Sequence, residues 1–286
     1  MRVAKVIATS FVPRRVREET GLSGNPVGYF SHSQNFPTKE SVVDLINFNI
    51  ECELKCNPGD PVDLIIVNSD VGWQDGNSFL DSIDGKILKY GKIHILHRAN
   101  LGWSFGAYNH AFKMLGNDYD YFIFTEDDVV ISRDGYASTG IEHFNRTKNC
   151  GFLAYLGLAI QGLDIKGDDA FAAHGGVGIT SSAVLNEVVK NYGSLPHCGE
   201  NDSQEYTNIL RSEMAFTNKI YKLGYELVNI PENIKLYDYA YDMMRGIDVK
   251  RYPSLAVKMM LKIKQKAYNQ KIIRSIYQSC KKAISK

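Results

Sequence analysis

Apolar residues fall along this chain in two rhythms. Short runs rich in Val, Ile, Phe and Tyr recur at Val3 to Ser10, Val62 to Asn68, Lys92 to His97, Tyr121 to Thr125 and Gly151 to Ile160, each with the length and composition of a buried strand. Between them, apolar positions return every three or four residues, as Val43, Ile46, Ile50 and Leu54, and again as Phe105, Tyr108, Phe112 and Leu115. Such stripes mark helices that pack by one face. Strands alternating with helices predict an α/β fold, Rossmann-like, with a mostly parallel sheet covered on both faces. The rhythm changes after Asp128. Residues 129–180 carry strand-like pieces and Gly-rich turns, among them Gly162 to Asp169 and Gly175 to Gly178, and predict a mixed sheet with loops. A helical pattern returns from about Ser203 to Leu223, with Gly224 placed to end it.

The chain has 286 residues, 44% of them hydrophobic, which supports one substantial core and a small appendage. No apolar run reaches the roughly 18 residues of a membrane span, and Met1-Arg-Val-Ala-Lys-Val-Ile-Ala lacks the long apolar segment of a secretory signal. Residence in the cytosol is the expectation. The five cysteines, Cys52, Cys56, Cys150, Cys198 and Cys280, are odd in number and widely spread, which predicts reduced thiols. Cys52 and Cys56 share a predicted helix, but no nearby pair completes a zinc site.

Charge divides the chain. Lys250 to Lys286 holds nine Lys and two Arg with no acid, and subtracting that +11 from the net +1 leaves −10 for the residues before it. The expected division is a catalytic domain over residues 1–245 and a basic amphipathic helical region over residues 246–286. In the latter, Met260, Ile263, Ala267, Ile272, Ile276 and Ile284 approximate helical spacing, with Lys258, Lys262 and Lys266 stacked four apart. Near an anionic membrane each such cation is worth roughly 1 kcal/mol, enough for a handful to hold the protein at the inner face. Packing on an acidic face of the same protein is the alternative. Nucleic acid is not the expected partner, because only Tyr252, Tyr268 and Tyr277 interleave with the basic residues.

The densest chemistry is Glu126-Asp127-Asp128, three acids directly after the strand pattern Tyr121 to Thr125. Adjacent carboxylates repel, so an acid triplet at a buried strand end calls for a cation unless it is a solvated turn. Ligands of open α/β sheets bind outside the carboxyl ends of strands. Alternation along the strand turns Glu126 and Asp128 to one side and Asp127 to the other. An acid-x-acid pair with a diphosphate suits Mn²⁺ or Mg²⁺, whose shells combine one or two carboxylates with water and phosphate oxygens. One helix upstream, Arg98-Ala-Asn-Leu-Gly-Trp-Ser-Phe-Gly carries Asn100, Gly102 and Gly106, where backbone can approach a base or sugar, and Ser104, a candidate helix cap. Arg14, Arg15 and Arg98 are candidate phosphate partners, with ordinary surface charge as the alternative. His174, beside Gly175 and Gly176, is the histidine placed to line an acceptor pocket. Trp73 and Trp103 follow strand ends and suit either stacking on a ligand or core packing.

Taken in order, these pieces resemble the nucleotide-sugar glycosyltransferases of the GT-A fold, in particular the broad family 2-like members. The matching segments are the strand Val3 to Ser10, Ile66-Val-Asn-Ser-Asp70, Asn100-x-Gly102, and Phe122 to Val129 in place of an Asp-x-Asp motif. Gly175 to Ser182 resembles an acceptor-side strand, and Lys222 to Pro231 a closing helix-to-strand passage; the resemblance spans about residues 3 to 232. It implies a nucleotide-sugar donor contacted by Thr9, Ser10, Asn68 and Asp70, with Arg98, Asn100, Gly102, Glu126 and Asp127 beside it. It also implies a metal at Asp128 with Glu126 in the first Asp's place, and a glycan or lipid-linked glycan as acceptor.

Inverting members carry a catalytic acid about eleven residues before a Gly-Tyr pair, and Glu213 stands eleven before Gly224. Glu213 also interrupts the apolar stripe of Ile209, Phe216, Ile220 and Leu223. A carboxylate in a desolvated cleft has a raised pKa, which suits a general base; a core Glu paired with a cation is the alternative. Asp202 and Glu205 stand in reserve, because Ser212 occupies the place of the acid that usually precedes the catalytic one. The expected reaction is a single, inverting displacement. The competing readings are a sugar nucleotidyltransferase, although Thr9 to Arg15 offers none of the expected loop glycines, and a non-catalytic sugar- or nucleotide-binding module.

Overall fold

The computed structural model describes residues 1–12, 38–131, 133–160, 171–197, 206–231 and 233–244, with the backbone alone at 159, 160, 171, 206–211, 241 and 242. In chain order these form β1 (Val3–Thr9), α1 (Lys39–Lys55), β2 (Val62–Asp70), α2 (Gln74–Ile83), β3 (Ile93–Ala99), α3 (Trp103–Leu115), β4 (Tyr121–Glu126) and β5 (Val129–Val130). Then come α4 (Tyr136–Arg146), β6 (Cys150–Ala154), β7 (Leu158–Ile160), β8 (Phe171–Ala173), a 3₁₀ turn at His174–Gly176, β9 (Gly178–Ser181), α5 (Ser182–Tyr192), α6 (Tyr206–Lys222), β10 (Glu226–Asn229), β11 (Asp238–Tyr239) and α7 (Ala240–Met244).

Seven strands make the main sheet in the order β10-β6-β9-β4-β1-β2-β3, with β9 antiparallel to both neighbours and every other pairing parallel. This is the mostly parallel, Rossmann-like α/β sheet expected. β1 is buried along its whole length because helices cover both faces, so it reads as an apolar run without alternation. On one face Ile7, Leu64 and Ile66 meet Val42, Ile46 and Ile50 of α1 and Leu80 of α2. On the other, Ala4, Val6, Phe122 and Phe124 meet Phe105, Tyr108 and Phe112 of α3 and Phe216 of α6. From β1 the chain builds outward through β2 and β3, then returns to place β4 on β1's opposite side. The β1–β4 seam is therefore the topological switch point, where a crevice opens beyond the strands' carboxyl ends.

Three local expectations are corrected. The predicted strand Gly151 to Ile160 is two strands, broken where Gly157 adopts φ +122°, a conformation that needs glycine. Residues 129–180 hold a full helix, α4, whose buried Tyr136, Ala137, Gly140, Ile141 and Phe144 follow helical spacing behind two small residues that dilute the pattern. Ser104 does not cap α3. Gly102 occupies that position at φ 72°, and the Ser104 hydroxyl turns to Glu126 instead. The end of α6 is as expected, with Gly224 at φ +90°. Cys52, Cys56 and Cys150 are free and buried, while Cys198 and Cys280 lie outside the described residues. The basic region 246–286 lies outside them as well, and so do Arg14, Arg15, Asp202, Glu205 and the segment Gly162 to Asp169.

Candidate active site

Parallel pairing brings the carboxyl ends of four strands level. Thr9 pairs with Asn68, Ala8 with Glu126, Asn68 with His97, Ser69 with Arg98 and Asp70 with Ala99. Most of the expected donor-side residues thus share one sheet edge, which is the consequence of register and not of any one motif.

The acid triplet is arranged differently from an extended strand. β4 ends at Glu126, and Asp127–Asp128 form a turn into β5. Alternation accordingly holds only as far as Asp127. Phe124 stacks on Tyr108 with ring centroids 4.6 Å apart, and Glu126, two residues on, lies on that same face, where its Oε1 accepts from Ser104. Asp127 turns the other way and is fully buried. Its Oδ2 accepts from Thr9 Oγ1 at 2.6 Å, its N–H donates to the Ala8 carbonyl at 3.2 Å, and its carbonyl accepts from Asn49 Nδ2 at 2.6 Å. Thr9 and Asp127 therefore bond to each other across the switch point. Asp128 is 6% exposed, and its carbonyl accepts from Ala240 N–H at 2.9 Å.

Glu213 sits on α6, 4% exposed, between the fully buried Phe216 and the 3₁₀ turn. The Gly175 N–H donates to its Oε1 at 3.1 Å, and Oε2 has no hydrogen-bond partner among the described residues. Burial pushes this carboxyl up to about 8; the Gly175 bond opposes the rise and the negative charge of Glu126 adds to it.

Gly175 joins the two acids. At φ +59° it occupies the left-handed region, and a Cβ there would stand 2.8 Å from Glu126 Oε2. Its carbonyl accepts from the Tyr108 hydroxyl at 2.8 Å. Next to it a Cβ on Gly176 would meet the Phe105 and Tyr108 rings at 2.9 and 3.0 Å. Tyr108 is wholly enclosed, and burial followed by the charges of Glu126, Asp128, Glu213 and Asp127 holds its phenol well above the usual range. Tyr108 thus lies within the field of four carboxyl groups. His174 begins the same turn, and burial holds its imidazole below its ordinary pKa.

The opposite end of the edge is bound into a network. Asn68 Nδ2 donates to Asn77 Oδ1 at 2.8 Å and lies 3.1 Å from His97 Nδ1, while Asn77 Nδ2 donates to Asp70 Oδ1 at 3.0 Å. Asp70 also accepts from the Gly72 N–H at 2.8 Å, and these two bonds hold its carboxyl below the usual range. Ser10 Oγ donates to the Ser69 carbonyl at 2.8 Å. Arg98 donates to Ser69 Oγ at 2.8 Å and to the Leu101 carbonyl, and burial lowers its guanidinium pKa. Asn100 is half-buried beside Gly102, whose missing side chain makes room for the His197 ring, 2.6 Å from where a Cβ would stand. Trp103, at φ 54°, is a bulky residue held in the left-handed region, a strained conformation next to a crevice. Trp73 packs edge-on to Phe11 at 5.0 Å, which gives it the core-packing role.

Sequence reading missed Asn77, Tyr108, Asn49 and His197. Tyr108 looked like one more member of an apolar stripe, and Asn77 lay in a helix that went unrecognised. The signal available for Tyr108 was its hydroxyl, which a buried tyrosine must satisfy.

For a divalent ion, no group of three or more His, Cys, Asp or Glu among the described residues forms a protein cage. The donor set that is present consists of hard carboxylate oxygens, crowded with like charge around Tyr108. Hard carboxylate oxygens of this kind are the donor type that Mn²⁺ and Mg²⁺ combine with water and phosphate oxygens.

No family model matches the chain, and no curated protein does. Among solved structures it is similar to S. aureus TarS, at 12% identity over 83% of this chain and TM-score 0.45; the chain spans 36% of the length of that protein. It is also similar to a cytidylyltransferase from Leptospira borgpetersenii serovar Hardjo-bovis (strain JB197), at 12% identity over 93% of this chain and 96% of the other, TM-score 0.44. A third likeness is to the glycosyltransferase GlyE of Streptococcus pneumoniae TIGR4, at 9% identity over 80% of this chain and 45% of the other, TM-score 0.39. No described helix is long and apolar enough to cross a membrane.

Proposed function

We propose that the protein is a glycosyltransferase that moves a sugar from a nucleoside-diphosphate donor to an acceptor hydroxyl by one inverting displacement. The observation that carries this reading is Glu213. It is a buried carboxylate with one oxygen steadied by a backbone N–H and the other without a hydrogen-bond partner, set across Gly175 from the acids at the switch point. A purely structural acid would be expected to bond both oxygens when so deeply buried. In the reaction Glu213 removes the proton of the acceptor hydroxyl as its oxygen attacks the anomeric carbon, and the bond to the diphosphate breaks with its electrons leaving on the phosphate. His174, Gly175 and Gly176 line the acceptor side.

The nucleotide lies along Ser10, Asn68, Asp70, Asn100 and Gly102, with Arg98 toward the phosphates. Thr9 and Asp127, bonded to one another, form the floor beneath it. Asp128 and Glu126 would hold a divalent ion, Mn²⁺ or Mg²⁺, which when bound would supply charge neutralisation for the departing diphosphate. The basic region 246–286 is read as a second unit that brings this cytoplasmic domain, 1–245, to an anionic membrane surface. Its charge suits a lipid-linked glycan acceptor.

Purified full-length protein, offered a panel of nucleotide sugars with and without Mn²⁺, should release nucleoside diphosphate, and NMR of the product should show an inverted anomer. Glu213→Gln should lower turnover by roughly 10²–10⁴-fold with donor affinity retained. Absence of donor binding across the panel would overturn the reading.

A further inference from the structure

In the middle of β1, among Val, Ala and Ile, stands a lysine. Lys5 is fully buried; its Nζ donates to Glu53 Oε2 of α1 at 2.8 Å and to the Ile131 carbonyl, and lies 5.0 Å from the centre of the Tyr136 ring. Tyr136, the first residue of α4 and also fully buried, donates its hydroxyl to Glu53 Oε1 at 2.6 Å. Stability does not account for this arrangement. Taking an ion pair out of water costs so much that an apolar pair of similar volume is often as stabilising or more so. What the ions supply that an apolar pair lacks is direction. The ammonium fixes the carbonyl of Ile131, three residues beyond Asp128. One turn before Glu53 on the same helix, Asn49 fixes the carbonyl of Asp127 at 2.6 Å, and the Asp127 N–H is held by Ala8. The segment that carries Asp127 and Asp128 is therefore clamped at both ends from α1 and β1, on the face of the sheet opposite Glu126 and Glu213.

We propose that Lys5, Glu53 and Tyr136 are positioning residues that hold the Asp127–Asp128 turn in the geometry needed to receive the donor, an assignment that rests on the reading of that turn as the donor site. The network touches neither substrate nor Glu213, and it acts through the backbone.

The decisive variant is Lys5→Met/Glu53→Leu, which removes both charges together and leaves neither one buried alone. Hydrogen exchange followed by mass spectrometry should show residues 127–131 exchanging about tenfold faster, with strands 62–70 and 93–99 unchanged. Donor turnover should fall about tenfold or more, and the Mn²⁺ concentration for half-maximal turnover should rise. Tyr136→Phe, which removes one hydroxyl from a core that otherwise keeps its shape, should move the same readouts in the same direction by less. It decides the matter if the double variant does not fold. Unchanged exchange at 127–131 in a folded variant would overturn the proposal, as would faster exchange with unaltered turnover and ion requirement. Wild-type protein without donor turnover would overturn the donor-site reading and this role with it. An active wild type with unaffected variants would overturn the positioning role alone.

Discussion

At the β2–β3 end of the sheet edge, Asn68, Asn77, Asp70 and the Gly72 amide bond to one another, and Asn68 Oδ1 is the atom of that set buried without a hydrogen-bond partner among the described residues. At the β4 end, Glu126 and Glu213 face each other across Gly175, one oxygen of Glu213 lacks a hydrogen-bond partner, and the charges crowding Tyr108 are alike. One end is a hydrogen-bonded network around a single carboxylate, and the other gathers several carboxylates with few partners between them. A preorganised network suits recognition of a ligand that does not change, whereas crowded, desolvated acids suit a group that must take a proton or share a cation. The two ends should therefore answer differently to the same kind of perturbation.

Glycine offers the sharpest contrast, because Gly72 and Gly175 lie at opposite ends and both adopt positive φ, +74° and +59°. An alanine at either position carries the left-handed penalty of roughly 1–2 kcal/mol. Around Gly72 a Cβ would meet nothing within 4 Å, whereas at Gly175 it meets the end of the Glu126 side chain at 2.8 Å. That carboxylate is flexible enough to move aside, so the fold survives but the acid is displaced. Gly175→Ala should lose about 10²-fold in turnover, the scale of an ångström-sized misplacement, while Gly72→Ala should lose stability to a similar extent and keep its turnover. Paired melting curves and steady-state rates on the two variants check this. Equal turnover losses would erase the distinction between the ends.

The pH response should come from the acid end. Glu213 works as a base only when ionised, and its carboxyl sits up at about 8 through burial first. Turnover relative to donor affinity should therefore climb about tenfold per pH unit up to that value and then level. Stability runs the opposite way. The folded pKa lies above the ordinary 4.5, so the folded state binds the proton more tightly. The stabilisation tied to that proton is complete below pH 4.5 and is lost as the pH rises through about 8. Glu213→Gln, which keeps the shape and discards the ionisation, should melt above the wild type at pH 9 without added metal and show a flatter dependence of melting temperature on pH. A variant that melts lower than wild type at pH 9 would assign Glu213 a structural pairing instead.

What could be read from the sequence follows the same division. β1, β2 and β4 are legible because strands buried on both faces concentrate Val, Ile and Phe, while the largely half-buried edge strand β3 is legible through Ile93, Ile95 and Leu96; their shared carboxyl edge follows from parallel pairing alone. Glu213 stood out as a charge inside an apolar stripe. The joint between the acids was not legible. Gly175 owes its importance to Glu126 and Tyr108, which reach it through tertiary packing, and no local pattern encodes that meeting. Strand alternation already set Asp127 apart from Glu126, but its bonds to Thr9 and to Asn49 of α1 come from tertiary packing that no local pattern encodes. The role of Lys5 has no local signal, because its partners Glu53, Ile131 and Tyr136 come from three separate elements or loops.

The smallest expected effect lies at the network end. Asn77 touches both Asn68 and Asp70 and has no place among the crowded acids, so its removal tests whether the donor-side network serves binding alone. Asn77→Ala leaves the Asp70 carboxyl with the Gly72 bond but without its strongest one, and Asp70 should lose part of the depression of its pKa. A neutral or charged hydrogen bond of this kind is worth about 1–2 kcal/mol, so donor KM should rise roughly tenfold while kcat changes little. The outcome separates the ends in kinetic terms: the acid end governs kcat, the network governs KM. A fall in kcat for Asn77→Ala comparable to that for Gly175→Ala would mean that the two ends move as one unit, with the network transmitting its geometry along β1 to the switch point.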